Sequence, residues 1–306
     1  MAAVQLVTVS PEESGQKLLN FLQRRVGKDI PKSALQRAIR KGWVRVDKGR
    51  KKPFDKVKTG QTVRIPPFHS EEKKQTPQQL GPLDIIHESA SILVLHKPCG
   101  LPVHGGSNHT DSLADRVKGA YAKAPFTPAP AHRLDKNTSG VLVFGKSYEA
   151  LRSLQDQFSE HTAIKIYFAW VKGSLNLPVP ELMEDKMQKK TRHGELEKVH
   201  AGQGKTARSR MVSITEKNGW TLVAIQLLTG RTHQIRVQLS SRGYPIAGDV
   251  KYGSPQNLNL PSQCPMLLHA TALKIHEGYW SVLPTWGKGW KVSTEHVKIA
   301  QSVFDI

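Results

Sequence analysis

The first 68 residues show the apolar and polar pattern of a compact α+β unit. Apolar residues recur at helical spacing between positions 18 and 26 and predict a first helix. A second helix is indicated by Ser33, a residue type favoured at helix N-caps, and by Gly42 just past its end. Short strands are expected to follow at 43–46 and 62–65.

The second predicted helix has two faces of opposite character, one apolar and one cationic. The apolar face holds Leu35, Ala38 and Ile39, and the cationic face holds Arg37, Arg40 and Lys41. Three cations on an exposed helix face form a surface suited to phosphates. We therefore expect Arg37, Arg40 and Lys41 to contact the phosphates of a binding partner.

Beyond the first unit the pattern changes twice. Residues 69–82 are polar, contain Pro and Gly and lack apolar periodicity, which is typical of a flexible linker. From residue 83 onward, β-branched or alternating runs predict strands, and Asn218-Gly219 is a hairpin signal. The expected strands are 92–95, 141–144, 166–171, 208–214 and 220–227, and the expected helices are 148–158 and 232–242.

These elements predict an α+β protein of two domains. A small unit over 1–68 and a linker over 69–82 would precede a larger domain over 83–306, built on a mixed, mainly antiparallel sheet with peripheral helices. A length of 306 residues allows two such domains.

Charge and cysteine content narrow the class of function. The chain carries 45 Lys and Arg against 25 Asp and Glu, a net charge of +20, and 16 of those cations against 5 acids lie in residues 1–68. Such a concentration indicates a polyanionic partner, with a general solubility charge as the alternative. Two cysteines exclude a disulfide framework and fit a reducing compartment. With no apolar run of membrane-spanning length and no leader-like N-terminus, we expect a cytoplasmic protein, by default a monomer.

One carboxylate stands among cations in the segment HRLDKNTSG, residues 132–140. Asp135 is either an ordinary turn aspartate or an anionic group held ionised by its neighbours, on a loop braced by the strand that follows. Because Arg133 and Asp135 are two residues apart, an extended backbone would place both side chains on the same side.

Two further segments offer polar chemistry at the ends or faces of strands. In KIYFAWVKG, residues 165–173, alternation places Tyr167 on one face with Lys165 and Ala169, where it is either a core tyrosine or an aromatic platform for a base. In LTGRTHQIR, residues 228–236, a strand runs through a turn into the start of a helix, an arrangement that suits anion binding.

These motifs resemble those of the RluA-type pseudouridine synthases. HRLDKNTSG is similar to the catalytic motif, KIYFAWVKG to the motif with the base-stacking tyrosine, and TGRTHQIR to the motif with an arginine partner. Further matches are the KPxGxxVHGG-like loop at 97–106, the segment 244–253 and the segment 267–270. Residues 30–46 resemble the S4 RNA-binding domain.

The resemblance implies an isomerase that converts uridine to pseudouridine in RNA without a cofactor or metal. Asp135 would be the essential carboxylate, Tyr167 would stack on the base and Arg231 would pair with Asp135. Arg133 would help hold the target nucleotide out of its stack. The substrate implied is large-subunit (23S) ribosomal RNA, with tRNA or another RNA, or a non-catalytic role in ribosome assembly, as the alternatives.

Other chemistries find little support in the sequence. There is no HExxH motif, no cysteine pair at ligand spacing, no phosphate-binding loop and no dinucleotide fingerprint. A glycoside hydrolase would need two cooperating carboxylates, and the motifs around Asp135 offer one.

Overall fold

The computed structural model describes residues 3–27, 30–68, 80–105, 111–190, 198–202, 204–253 and 265–306. Most of the predicted linker, together with Gly106 and Cys264, lies outside these ranges. The helices are α1 (Leu18–Val26), α2 (Lys32–Arg40), α3 (Leu113–Ala120), α4 (Tyr148–Ser159), α5 (Gln234–Ser241) and α6 (Thr294–Phe304). Within the described ranges, no helix combines the length and the apolar character needed to cross a membrane.

Fourteen strands are assigned within the described residues. They are β1 (Gln5–Thr8), β2 (Arg45–Val46), β3 (Thr62–Ile65), β4 (Asp84–Glu88), β5 (Ile92–Lys97), β6 (Ala129–Pro130), β7 (Ser139–Gly145), β8 (Ile164–Lys172), β9 (Glu181–Lys190), β10 (Lys198–Ala201), β11 (Lys205–Lys217), β12 (Trp220–Leu227), β13 (Leu268–Ile275) and β14 (Gly278–Ser281).

The N-terminal unit, residues 3–27 and 30–68, has its own sheet and its own core. Strands β1, β3 and β2 pair in that order, and α1 and α2 pack together through one apolar cluster. The predicted faces of α2 are confirmed, because Leu35, Ala38 and Ile39 are buried while the three cations are exposed. The expected start of α2 is wrong: its N-cap is Pro31, and Ser33 lies within the first turn.

The larger part of the chain is built on one mixed sheet. Its strand order is β10-β9-β11-β12-β8-β13-β7-β5-β4, with β14 paired to β13 and β6 paired to β7. All of these pairings are antiparallel except that between β13 and β7, which confirms the predicted mainly antiparallel sheet. The predicted hairpin at Asn218-Gly219 is also confirmed, with a positive φ at both residues.

Strand β8 illustrates how alternation divides the core between the two faces of the sheet. Tyr167 and Ala169 join one apolar cluster, whereas Ile166, Phe168 and Trp170 join another on the opposite face. Because β8 lies between β12 and β13, Tyr167 is held from both sides, opposite Ile225 and Ala270.

The parallel contact between β7 and β13 fixes the segment that leads into β7. Gly140 pairs with Ala270, and a Cβ at Gly140 would lie 2.2 Å from the Ala270 carbonyl oxygen. This close approach, together with a φ of +127°, requires glycine at this position. It holds the loop before β7 next to the start of β13, the strand that lies between β7 and β8.

Candidate active site

Asp135 lies in the loop at residues 131–138, which connects β6 to β7. The loop turns on itself where the Thr138 backbone N–H donates to the Asp135 carbonyl at 3.1 Å. The Asp135 side chain is one-fifth exposed, so its carboxylate can be reached from solvent while the neighbouring Leu134 is buried. The loop therefore holds the carboxylate at the edge of the core rather than in free solution.

The end of β5 and the loop that follows it, residues 97–101, hold the Asp135 loop in place. The Gly100 N–H and the Lys97 ammonium both donate to the Lys136 carbonyl, at 3.0 and 2.9 Å. Lys97 is fully buried and also donates to the carbonyls of Pro98 and Leu101. Burial lowers the pKa of Lys97 to about 8. With these bonds, the residue after Asp135 is tied to the segment after β5, which limits movement of the carboxylate.

Tyr167 faces the same space from the middle of β8. Its side chain is nearly fully buried, and burial, followed by the negative charge of Asp135, raises its pKa far above the ordinary value. The phenol therefore stays protonated at neutral pH. A neutral aromatic ring next to an ionisable carboxylate is suited to holding a base against it.

Arg236, in the first turn of α5, is the arginine that meets Asp135. Its Nη1 donates to Asp135 Oδ2 at 3.2 Å, while its Nε and Nη2 donate to the two oxygens of Asp249, each at 2.8 Å. Burial opposes the charge on Arg236, but the bonds and charges of Asp249 and Asp135 outweigh it and raise the pKa of Arg236. Likewise, burial opposes ionisation of Asp249, yet Arg236 holds the pKa of Asp249 below its usual value. Asp249 thus holds the Arg236 guanidinium in a fixed orientation, with Nη1 aimed at Asp135.

The expectation that Arg231 pairs with Asp135 is wrong in this structure. Arg231 precedes α5, and its Nε donates to the Thr206 carbonyl at 3.0 Å, so that its side chain is directed towards β11. Its backbone N–H donates to the side chain of Gln234, which tightens the turn before the helix. Arg231 is exposed at the rim of the site, whereas Arg236 points inward from the helix.

Buried amides hold α5, and with it Arg236, against the sheet. The Gln234 side chain donates to the Arg208 carbonyl at 2.9 Å, and the Gln238 side chain donates to the Met183 carbonyl at 3.2 Å. Ser209 completes the link by donating to Gln238 at 2.8 Å. Buried polar groups satisfied in this way give the helix a single position on the sheet.

His233 is a further polar group of the site that residue-type reasoning did not single out. It adopts a left-handed conformation, with φ of 54°, immediately before α5. Its Nδ1 is 2.8 Å from the Tyr252 hydroxyl and its Nε2 is 3.8 Å from Asp135 Oδ2. Burial lowers the pKa of His233, against the opposing effect of Asp135. The signal for His233 and Arg236 was present in the TGRTHQIR segment, and that for Asp249 in the segment 244–253.

These groups line a cavity of about 110 Å³. Its polar lining includes Arg133, Asp135, Tyr167, Arg231, His233 and Arg236. Arg133 and Asp135 thus reach the same cavity, as their spacing predicted. Arg37, Arg40 and Lys41 lie on the exposed face of α2 in the N-terminal unit. Across the described ranges, no group of three or more His, Cys, Asp or Glu residues is arranged to hold a metal ion.

The sequence of this chain is similar to those of known RNA-modifying proteins. A family model described as RNA pseudouridylate synthase matches residues 91–241. The chain is 36% identical over 284 residues to the Haemophilus influenzae protein named ribosomal large subunit pseudouridine synthase C, covering 89% of this chain and 87% of that protein. It is 36% identical over 295 residues to the Escherichia coli K12 protein of the same name, covering 92% of each.

A solved structure shares the fold. Human RNA pseudouridylate synthase domain containing 1 superposes with a TM-score of 0.59 at 22% identity, covering 74% of this chain and 97% of that one. The match covers nearly all of that protein.

Proposed function

Because the chain belongs to the RNA pseudouridylate synthase family, we propose that this pseudouridine synthase acts on uridines of large-subunit (23S) ribosomal RNA. The relatives named for that substrate, which span most of both chains, support this choice of RNA. The observation that carries the site assignment is the Asp135 carboxylate, paired to Arg236 and facing Tyr167 in one cavity.

The reaction moves a base on its own sugar. The bond between N1 of uracil and C1′ of ribose breaks, the free base turns, and a new bond joins C5 to C1′. N1 gains a proton and C5 loses one, so that the atoms balance without an oxidant, a group donor or an energy carrier. We therefore propose that the protein works without a cofactor.

Asp135 is proposed as the essential carboxylate. It acts either by attacking C1′ or by removing a sugar proton, and both routes need it ionised and close to the ribose. Arg236 fixes the direction of the carboxylate, since its Nη1 donates to Asp135 Oδ2 at 3.2 Å. Asp249 positions Arg236 by accepting hydrogen bonds from its Nε and Nη2.

Tyr167 is proposed to stack on the target base. Its ring packs in one apolar cluster with Ile225 and Ala270 of the neighbouring strands, so that the base meets a surface that does not need to reorganise. The exposed Arg133, at the cavity with Asp135, is proposed to keep the nucleotide out of its stack. Extruding a nucleotide from a helix costs a few kcal/mol, which contacts of this kind must supply. Arg231, exposed at the cavity, is proposed to contact a phosphate of the RNA.

The N-terminal unit is proposed to be an S4-like RNA-binding domain, followed by the linker and the catalytic domain from residue 83. The exposed cations Arg37, Arg40 and Lys41 on α2 support this role. Contacts of this kind give affinity that depends on salt and carries little sequence information. Acting on ribosomal RNA, the protein is proposed to work in the cytoplasm, as a monomer.

The substrate is tested by supplying the purified protein with deproteinised large-subunit rRNA and, separately, with tRNA, both lacking pseudouridine. New sites are mapped by chemical adduct formation and primer extension, with Asp135→Asn as the matched control. We expect discrete sites in the large-subunit RNA that are absent with the variant. Product on tRNA alone would overturn the proposed substrate, and binding without product on any RNA would favour the non-catalytic assembly factor.

A further inference from the structure

An exposed tryptophan stands in the middle of a cationic surface of the N-terminal unit. Trp43 follows the turn that ends α2, and 51% of its surface is exposed. The Lys41 ammonium lies 4.9 Å from the centre of the Trp43 ring, and Arg64 donates to the Trp43 carbonyl at 2.7 Å. A side chain added at Gly42 would lie 2.9 Å from Arg50 Nε. We call Lys41, Trp43, Arg45, Arg50 and Arg64 the Trp43 surface.

The cations of the Trp43 surface face one another rather than carboxylates. Arg45 and Arg64 stand directly opposite in the antiparallel pair of β2 and β3, an arrangement that destabilises a sheet when nothing neutralises it. In the part of the chain that the structure describes, none of these cations forms an ion pair with a carboxylate. Asp47, which directly follows β2, instead accepts from the Thr62 N–H and from Gln61. The surface is therefore arranged for an anion from outside the chain.

The exposed ring of Trp43 indicates that the bound anion also carries a flat group on which the indole can stack. An indole that projects among cations offers a face for stacking, and a nucleic acid supplies both the phosphates and the flat rings. In a continuous duplex the faces of the bases are covered by their neighbours, so the ring can stack only on a base that is unpaired and turned outward. A peptide with several carboxylates would satisfy the cations but would leave the ring without a partner.

We propose that Trp43 stacks on an unpaired base of the RNA while Lys41, Arg45, Arg50 and Arg64 bind the flanking phosphates. This inference rests on the proposed action on RNA. It adds a recognition element outside the cavity, in which the N-terminal unit distinguishes RNA with a loop or bulge from a continuous duplex. The cations give salt-dependent affinity for any RNA, and Trp43 gives the preference for unpaired nucleotides.

Phe54 offers a matched control on the same unit. It is also exposed, at 64%, and Lys17 lies 5.4 Å from the centre of its ring. Phe54→Ala therefore shows whether RNA binding is weakened by the loss of an exposed ring next to a lysine in general, or by the loss of Trp43 in particular.

The test measures the affinity of the full chain for two synthetic RNA hairpins that differ only in a bulge of unpaired uridines. We expect Trp43→Ala to weaken binding of the bulged hairpin about tenfold and to leave the continuous hairpin within about twofold. Trp43→Phe should retain most of the preference, and Phe54→Ala should change neither affinity. The slope of affinity against salt should stay the same in Trp43→Ala, because no phosphate contact is removed.

Three outcomes would overturn the proposal: an unchanged affinity of Trp43→Ala for the bulged hairpin, an equal loss on both hairpins, or an equal effect of Phe54→Ala. The proposed function is assessed separately, by pseudouridine formation in the unaltered protein. Absence of product there would refute that function without changing the hairpin result.

Discussion

Replacing Arg236 by glutamine removes the guanidinium that joins two carboxylates. Arg236 is mostly buried, Asp249 is almost completely buried, and Asp135 is one-fifth exposed. The substitution would leave the Asp249 charge in the interior without its bidentate partner. Breaking a buried pair by removing one member costs about 3–5 kcal/mol in the free energy of unfolding, because the remaining charge is uncompensated.

The same substitution acts on catalysis through Asp135. It removes one hydrogen bond, of 3.2 Å, between charged groups. A hydrogen bond to a charged group contributes about 1.5–3 kcal/mol, which corresponds to a fall in kcat/KM of roughly 10- to 100-fold. The double variant Arg236→Gln/Asp249→Asn separates the two effects, since it removes both buried charges together. We expect it to recover most of the lost stability while the deficit in kcat/KM remains.

Stability is measured by urea unfolding, and activity by the rate of pseudouridine formation at a temperature where each variant is folded. Arg231→Gln is the matched control, because its side chain bonds the Thr206 carbonyl instead of Asp135. We expect it to change stability by less than about 1 kcal/mol and to affect KM more than kcat. Full activity in the folded double variant, or a larger loss of kcat in Arg231→Gln than in Arg236→Gln, would refute the assignment of Arg236.

Three other predictions concern the surroundings of the site. Gly140→Ala should lower the free energy of unfolding by at least about 3 kcal/mol, because its Cβ would meet the Ala270 backbone. Gly243→Ala is the control, since a Cβ there would meet nothing within 4 Å, and it should lose less stability. Equal losses in the two variants would contradict the packing argument. Burial raises the pKa of Tyr167, so this tyrosine should stay protonated up to about pH 11. Ultraviolet titration to that pH should therefore count the same number of ionised tyrosines in the wild type and in Tyr167→Phe. One more ionised tyrosine in the wild type would contradict the raised pKa. Burial lowers the pKa of His269 in the folded protein to about 3. As pH falls below about 6.5, this imidazole is protonated in the unfolded chain but stays neutral in the folded protein, so the free energy of unfolding decreases. Between pH 7 and pH 5, His269→Gln should lose about 2 kcal/mol less than the wild type in urea unfolding, and equal losses would exclude His269 as the source.

The spacing of apolar residues predicted the bounds of a helix or strand correctly where each of its faces is either buried or exposed along its whole length. The strand at 220–227 has the predicted bounds, and α4 extends the predicted 148–158 by one residue. The same spacing did not predict where helices begin, because the backbone conformation before the first turn determines the first helical residue. Pro31 displaces Ser33 as the N-cap of α2, and the left-handed His233 delays α5 until Gln234.

The expected pairing of Asp135 with Arg231 came from the resemblance of the TGRTHQIR segment and not from the bounds of the predicted helix. The segment contains two arginines, and its sequence does not indicate which side chain reaches Asp135, because that contact joins residues 101 positions apart. With α5 beginning at Gln234, Arg236 falls in the first turn and points at Asp135, whereas Arg231 remains in the preceding turn. The partner at Asp249 could not be inferred either, because it depends on a contact across 13 residues of chain.

The hydrogen at C5 of the target uracil must leave when C5 bonds to the ribose, so its release reports the reaction directly. Large-subunit rRNA made with tritium at C5 of uridine is incubated with the protein, and the tritium released to water is counted while RNA binding is measured in parallel. We expect release by the wild type and none by Asp135→Asn, with binding of the RNA unchanged. Equal release by both proteins would contradict the assignment of Asp135 as the group on which the reaction depends.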